Sequence, residues 1–158
     1  MILGMTTYTF VHVAISLVGI FSGLIVMIGL LAGKRLDGWT ALFLVTTAAT
    51  SLTGFGFPFV KLLPSHIVGV ISLVVLAIAI LARYALHLTG AWRAIYVITA
   101  MIALYLNVFV LVVQAFLKVP ALHAMAPTGS EPPFLVAQVT VLVLFIVLTV
   151  LAVKKFRV

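Results

Sequence analysis

Cysteine is absent from this chain of 158 residues, and acidic residues are nearly absent, since two Asp or Glu stand against nine Lys or Arg. The lack of cysteine excludes disulfides, thiolate metal ligands, CxxC redox chemistry and palmitoylation. Both carboxylates, Asp37 and Glu131, lie between the apolar runs. The predicted helices therefore contain no carboxylate, which argues against an ion-coupled carrier. It also argues against nucleophilic catalysis, because no helix-borne acid could orient a histidine.

Apolar residues make up 66% of the chain and charged residues 7%, with a mean hydropathy of +1.46. They are collected in runs, each long enough to cross about 30 Å of hydrocarbon. A net charge of +7 would fit a nucleic-acid binder. The basic residues are, however, scattered among the ends of the apolar runs, so we expect a lipid bilayer as the partner and no nucleic acid.

The apolar runs predict a single all-α domain over residues 1–158, an integral membrane bundle of five transmembrane helices. Their bounds are about 8–32, 39–61, 64–85, 92–119 and 134–153. With the amino terminus outside and the carboxyl terminus inside, the inner loops and tail hold seven basic residues, and the outer side holds only Lys61 and Lys118. Merging the second and third helices would put basic residues about equally on both sides. The first run has no basic region before it, so we expect a retained helix rather than a signal peptide.

Three of the four histidines fall at the outer ends of the apolar segments: His12, His66 and His123. An ionisable group in or near a bilayer is a functional-site hypothesis, because solvating it there is costly. At 100° per residue, His12 and His66 each share a helical face with small residues that would let another helix approach closely. His87 lies beside Arg83 in an inner loop, where a cation suits a helix carboxyl end, and we interpret it as structural.

Polar side chains also converge on the outer half of the predicted bundle. Asn107, Gln114 and Lys118 share one stripe of the fourth helix. Gln138 begins the fifth helix at the same level, and Lys61 lies at the rim. Each amide alone could simply bond a neighbouring helix, contributing on the order of 0.6 kcal/mol. Because the inner half of the helices is nearly uniformly aliphatic, the convergence predicts a pocket in the outer half.

Haem b or a transition metal is the first ligand that this pocket suggests. Neutral imidazole is a common metal ligand, and two helix-borne histidines can hold a haem in a bundle. His12 and His66 would be the axial ligands, with the two outer lysines near the propionates. A copper or zinc site would recruit His123. Either cofactor would give the protein a redox or respiratory-assembly role.

Two other functions remain open at this stage. The pocket could bind or transport a quinone, a lipid or another small solute, with histidine, amide and hydroxyl groups bonding its oxygens. The protein could instead be a structural subunit of a larger membrane complex. The GxxxG spacings Gly19–Gly23 and Gly29–Gly33 would then pack against other subunits or a second copy of the chain. Whether the protein is an enzyme is left open.

Four stretches resemble a family of small bacterial integral inner-membrane proteins of the proteobacterial type: Gly33–Thr40, Leu63–His66, Ala103–Phe109 and Ala126–Pro133. The resemblance covers most of the chain. It implies a bacterial inner membrane, but the family carries no assigned function, so it implies no substrate and no site residue. The histidines at helix ends also give a loose similarity of design to membrane proteins associated with haem–copper oxidase assembly.

Overall fold

The computed structural model describes residues 7–34, 36–54, 64–127 and 131–156, and within those ranges it contains helices and no strand. The elements are α1 (Thr7–Leu31), α2 (Asp37–Gly54), α3 (Pro64–Ile80) with a π-helical turn after it (Leu81–Ala85), α4 (Trp92–Lys118), α5 (Pro120–Met125) and α6 (Pro132–Lys155). The prediction of an all-α bundle is confirmed.

Within the described ranges, four stretches are long and apolar enough to cross a membrane: Thr7–Leu31, Ile67–Ala85, Trp92–Phe116 and Pro132–Lys155. The 18-residue α2 is not among them, since its sequence is rich in threonine. The predicted second span extends to residue 61, and its part after Gly54 lies outside the described residues. A multi-pass membrane bundle is therefore supported, while the count of five spans and the orientation of the termini stay predictions.

Proline and aspartate set several helix ends. Val119 is extended (φ −85°, ψ 116°), as the residue before a proline usually is, so α4 ends at the predicted place. Pro120 then starts the short helix α5 inside a segment that the sequence predicted as a loop. Asp37 belongs to the first turn of α2, where a carboxylate suits the helix dipole, so this helix begins two residues before Trp39, the predicted start.

The helices form a closed arrangement in which each long helix packs against the next. α1 packs on α2, α2 on α3, α3 on α4, and α4 on α6, while α1 also contacts both α4 and α6. The order places α2 between α1 and α3. We call the end where α1 begins the His12 end, and the opposite end, where α3 finishes, the Arg83 end.

Gly23 allows a close approach of three helices in the core. A Cβ atom there would lie 2.6 Å from Leu104 Cδ1 and 2.9 Å from Phe43 Cδ1, so α1 can meet α2 and α4 at this level because the residue is glycine. Gly19 of the same GxxxG spacing is also buried. This packing seam is thus used within the chain, and in this structure it is not open to a second copy or another subunit.

Candidate functional site

His12 joins the beginning of α1 to the last turn of α2. Its Nδ1 atom lies 2.6 Å from the hydroxyl of Thr53, and the hydroxyl of Tyr8 donates to the carbonyl of Thr53 at 2.5 Å. The Thr53 hydroxyl in turn lies 2.7 Å from the carbonyl of Ala49, to which it can only donate. The Thr53 hydroxyl thus lies between the carbonyl of Ala49 and the imidazole of His12, and which of the two it donates to depends on the tautomer of His12.

The other predicted metal ligands do not join His12 in the described part of the structure. The side chain of His66 lies outside the described residues, and its helix α3 is separated from α1 by α2. His123 is exposed on α5, where its Nδ1 atom lies 3.3 Å from the carbonyl of Phe116. Among the described residues, no three His, Asp or Glu side chains gather as a metal site. Among the described residues, the structure therefore brings no second predicted metal ligand to His12.

The predicted amide stripe of α4 separates into two environments. Asn107 is half-buried, and its Nδ2 atom donates to the fully buried hydroxyl of Thr47 on α2 at 3.2 Å. Gly19 leaves room for this bond, since a Cβ atom there would lie 3.3 Å from the Thr47 hydroxyl. Gln114 is exposed on the outside of the bundle. The side chains of Lys118 and Lys61 lie outside the described residues.

Gln138 is the predicted site residue with an unmet hydrogen-bonding atom. Its side chain is buried between α6 and α4, with 8% of the residue exposed. The Nε2 atom donates to the carbonyl of Phe109 at 3.4 Å, whereas Oε1 has no hydrogen-bond partner among the described residues. If the Nε2 and Oε1 atoms exchanged places, the carboxamide oxygen would face the carbonyl oxygen of Phe109, and two acceptors repel. The unmet atom of Gln138 is therefore the acceptor.

An open groove of about 300 Å³ runs between α4 and α6 towards the Arg83 end. We call it the α4–α6 groove, and it is lined by Ile98, Met101, Ile102, Tyr105, Leu142, Phe145, Ile146, Thr149 and Val150. Gln138 precedes Leu142 by four residues, and Phe109 follows Tyr105 by four, so both continue the lining faces one turn further. The ring of Tyr105 lies 5.6 Å from that of Phe145 and 6.2 Å from that of Phe109. Gln138, with its unmet carboxamide oxygen buried, thus lies one helical turn beyond the aromatic end of the lining.

A larger groove of about 660 Å³ lies between α2 and α3. Its lining is aliphatic apart from Tyr84. Gln138, which has the one unmet buried side-chain atom among the described residues, lies a turn beyond the lining of the α4–α6 groove and not beside this one. The α4–α6 groove is therefore the better candidate for a selective site.

The Arg83 end contains a buried charged network that the sequence analysis missed. The side chain of Arg83 is 1% exposed, and it pairs with the carboxylate of Asp37, which is 74% exposed. Its guanidinium also donates to the hydroxyl of Tyr96 at 3.2 Å and lies over the rings of Tyr96 and Tyr84, at 5.2 and 5.9 Å from their centroids. The half predicted to be inner is thus not uniformly aliphatic, and the signal was an arginine two residues before the end of the predicted third helix.

Arg93 closes the same end by holding the last turn of α6. Its guanidinium donates to the carbonyl of Val153 at 2.8 Å and to that of Phe156 at 2.5 Å. Phe156 is fully buried and packs against Tyr96, with 6.2 Å between the ring centroids. These contacts fix the end of α6 to α4, so we assign the Arg83 end a structural role.

No protein-family model matches the chain, and neither the search of characterised proteins nor that of solved structures finds a match. The resemblance to small bacterial inner-membrane proteins therefore stays a prediction.

Proposed function

We propose that this protein binds a ring-bearing, membrane-soluble amphiphile of the quinone class in the α4–α6 groove. The observation that carries the proposal is an apolar groove with an aromatic end, next to which the buried Gln138 keeps an Oε1 atom without a partner among the described residues. Sites for small apolar ligands combine apolar and aromatic walls with a few placed polar groups, and volumes from about 300 Å³ are typical.

The energetics favour a ligand-binding role for Gln138 over a purely structural one. A buried polar atom without a partner costs about 1–3 kcal/mol, more than an interhelical hydrogen bond in a membrane typically returns. The bond from Gln138 to the carbonyl of Phe109 is long, at 3.4 Å. A ligand that satisfies the Oε1 atom would remove this penalty.

The rings and the shape of the groove suggest how the ligand lies. An aromatic headgroup beside Tyr105, Phe109 and Phe145 would take offset or edge-to-face contacts, which contribute about 0.5–1.5 kcal/mol per pair. The aliphatic part of the groove would then hold the tail, and its open side would admit the ligand from the lipid.

The proposal includes a bacterial inner membrane and five spans, with the amino terminus outside. The composition of α2 supports its placement as a span, although threonine lowers its hydropathy. Its hydroxyls at Thr40 and Thr47 are fully buried, while Val45 and Leu52 are its most exposed large apolar residues, at 66% and 61%. A helix with its apolar face outward and its polar face inward is suited to lipid.

Binding to purified protein in lipid nanodiscs tests the proposal, with decyl-benzoquinone and its reduced form as probes and empty nanodiscs as the blank. We expect saturable binding that Phe145→Ala weakens about tenfold, because the ring contacts are lost. Gln138→Leu should weaken binding of at least one form. Gln114→Leu is the matched control, since this amide is exposed and lies outside the groove. Binding that neither Gln138→Leu nor Phe145→Ala changes would refute the proposal.

A haem or transition metal bound through His12 is the second candidate, because neutral imidazole is a common metal ligand and the Thr53 hydroxyl orients this one from 2.6 Å. A reduced-minus-oxidised spectrum and metal analysis of the purified protein test it. A haem band or a stoichiometric metal that disappears in His12→Ala would support the site. A featureless spectrum with no bound metal would end this candidate.

A further inference from the structure

We infer that α1, α2 and α4 form a water-accessible vestibule, which opens at the His12 end, reaches Asn107 and admits small uncharged solutes that form hydrogen bonds. The vestibule is a second site, separate from the α4–α6 groove, and its walls come from three helices that contact one another. Its position is given by where the polar side chains of these helices lie and by how exposed each one is.

The contact between α1 and α2 is polar at the His12 end. The Nδ1 atom of His12 lies 2.6 Å from the hydroxyl of Thr53. Further along α1, a Cβ atom on Gly19 would lie 3.3 Å from the hydroxyl of Thr46, so the two helices run antiparallel. Two half-buried hydroxyl residues lie between these contacts along the helices: Ser16 and Thr50. The contact between α1 and α2 therefore lines the vestibule with imidazole and hydroxyl groups.

One stripe of α4 shows that the bundle opens towards the same end. Its residues are separated by steps of four and seven, so they share a face of the helix. Tyr96 and Ala103 of this stripe are fully buried. Asn107 is half-buried, and Gln114 is exposed. The helices therefore separate along this stripe beyond Ala103, and Asn107 lies in the opening.

The carboxamide of Asn107 indicates that the opening contains water and not lipid. Asn107 lies eleven residues before the end of α4, which is about 16 Å along a helix and about half the thickness of the hydrocarbon. Its Nδ2 atom donates to Thr47, and the one buried unmet side-chain atom among the described residues belongs to Gln138. The other polar atoms of Asn107 are therefore accessible. Hydrocarbon would leave them without hydrogen bonds, which is strongly unfavourable, whereas water satisfies them.

Phe43 and Leu104 close the vestibule about one turn beyond Asn107. Both are 1% exposed, and they meet the backbone of α1 at Gly23, where a Cβ atom would lie 2.9 Å from Phe43 and 2.6 Å from Leu104. None of the residues named in the walls above this layer is Asp, Glu, Lys or Arg. Such walls donate and accept hydrogen bonds but offer no fixed charge to pair with an ion, so they suit uncharged solutes.

Thiol labelling tests the vestibule, because the chain has no cysteine and a single introduced thiol reports its own surroundings. The protein in lipid nanodiscs is treated with hydroxyethyl methanethiosulfonate, a small uncharged reagent. We expect Thr46→Cys to react at least about tenfold faster than Val45→Cys, since the reacting thiolate forms in water and not in lipid. Val45 is the matched control, because it adjoins Thr46 and is 66% exposed on the apolar face of α2.

A second matched pair repeats the comparison on α1. Ser16→Cys should react faster than Leu17→Cys, whose residue is 49% exposed. Because cysteine is nearly isosteric with serine, this pair keeps the test decisive if Thr46→Cys does not fold. Rates at Ser16 and Thr46 no higher than those of their neighbours would overturn the inference. Ala100→Cys lies beyond the closing layer at a residue 2% exposed and should stay unlabelled, so labelling as fast as that of Thr46→Cys would refute the closure.

The charge of the reagent tests the class of solute. Trimethylammonioethyl and sulfonatoethyl methanethiosulfonate carry a positive and a negative charge, and each rate is divided by the rate of the same reagent with free cysteine. At Thr46→Cys we expect the uncharged reagent to react about tenfold faster than either, because an ion loses hydration between walls without fixed charge. A charged reagent that reacts as fast as the uncharged one would overturn the selection of uncharged solutes.

Discussion

The guanidinium of Arg83 donates a hydrogen bond to the hydroxyl of Tyr96 over 3.2 Å, and so joins the π-helical turn after α3 to the first turns of α4. Thr40 of α2 also bonds to this hydroxyl. The single oxygen of Tyr96 is therefore a meeting point of three helical segments. π-helical turns occur often at functional sites. Here the turn contains Arg83, whose buried guanidinium contacts Tyr96 and Asp37.

Tyr96→Phe should lower the free energy of unfolding by about 1–2 kcal/mol, because it removes a buried oxygen to which Arg83 and Thr40 both bond. The matched control is Tyr84→Phe. The ring of Tyr84 also contacts Arg83, but its residue is 49% exposed, so we expect a change within about 0.5 kcal/mol. Denaturant unfolding in detergent, followed by circular dichroism, measures both. Equal effects of the two variants would contradict the role assigned to the Tyr96 hydroxyl.

Gly23→Ala should destabilise the bundle by about 1–3 kcal/mol, because the added methyl group overpacks the contact of α1 with Phe43 and Leu104. Gly38→Ala is the opposite case, since a Cβ atom there meets nothing within 4 Å and alanine favours the helix. We expect Gly38→Ala to be neutral or slightly stabilising in the same unfolding measurement. A Gly23→Ala variant as stable as the unmodified chain would show that this contact is not tightly packed.

The backbone restrictions of proline made the end of α4 predictable from the sequence. The end of α4 depends on Pro120, which has no N–H and restricts the residue before it, so sequence alone placed that end correctly. The short helix α5 was missed because six residues give too little periodicity to distinguish a helix from a loop. Its first residue, Pro120, both ends α4 and begins α5.

The α4–α6 groove could be predicted only in part. Gln138 was found because an amide in an apolar run is conspicuous. Its aromatic neighbours, such as Tyr105 and Phe145, were not, because α6 is apolar on every side and its sequence does not show which face meets α4. The Arg83 network was missed because Asp37 lies 46 residues away in the chain and a basic residue at an inner helix end already had an explanation.

Asn107 and Thr47 should show a small coupling energy. The bond between them joins α4 to α2 over 3.2 Å, and such bonds in membrane bundles contribute about 0.6 kcal/mol. A double-mutant cycle with Asn107→Leu and Thr47→Val measures the coupling in unfolding experiments. The structural role also predicts that neither variant alters binding in the α4–α6 groove. Weaker binding of the quinone probes in a stably folded Asn107→Leu variant would instead place the ligand between α1, α2 and α4.

Cysteine labelling should place the two ends of the bundle on opposite sides of the membrane. The chain has no cysteine, so a single introduced thiol reports without background. Ala124 on α5 and Thr89 before α4 are both exposed, and they lie at the His12 end and the Arg83 end respectively. With the amino terminus outside, a membrane-impermeant maleimide should label Ala124→Cys in intact bacterial spheroplasts and Thr89→Cys only after lysis. The reverse pattern would invert the proposed orientation, and labelling of both in intact cells would show that α4 does not cross the membrane.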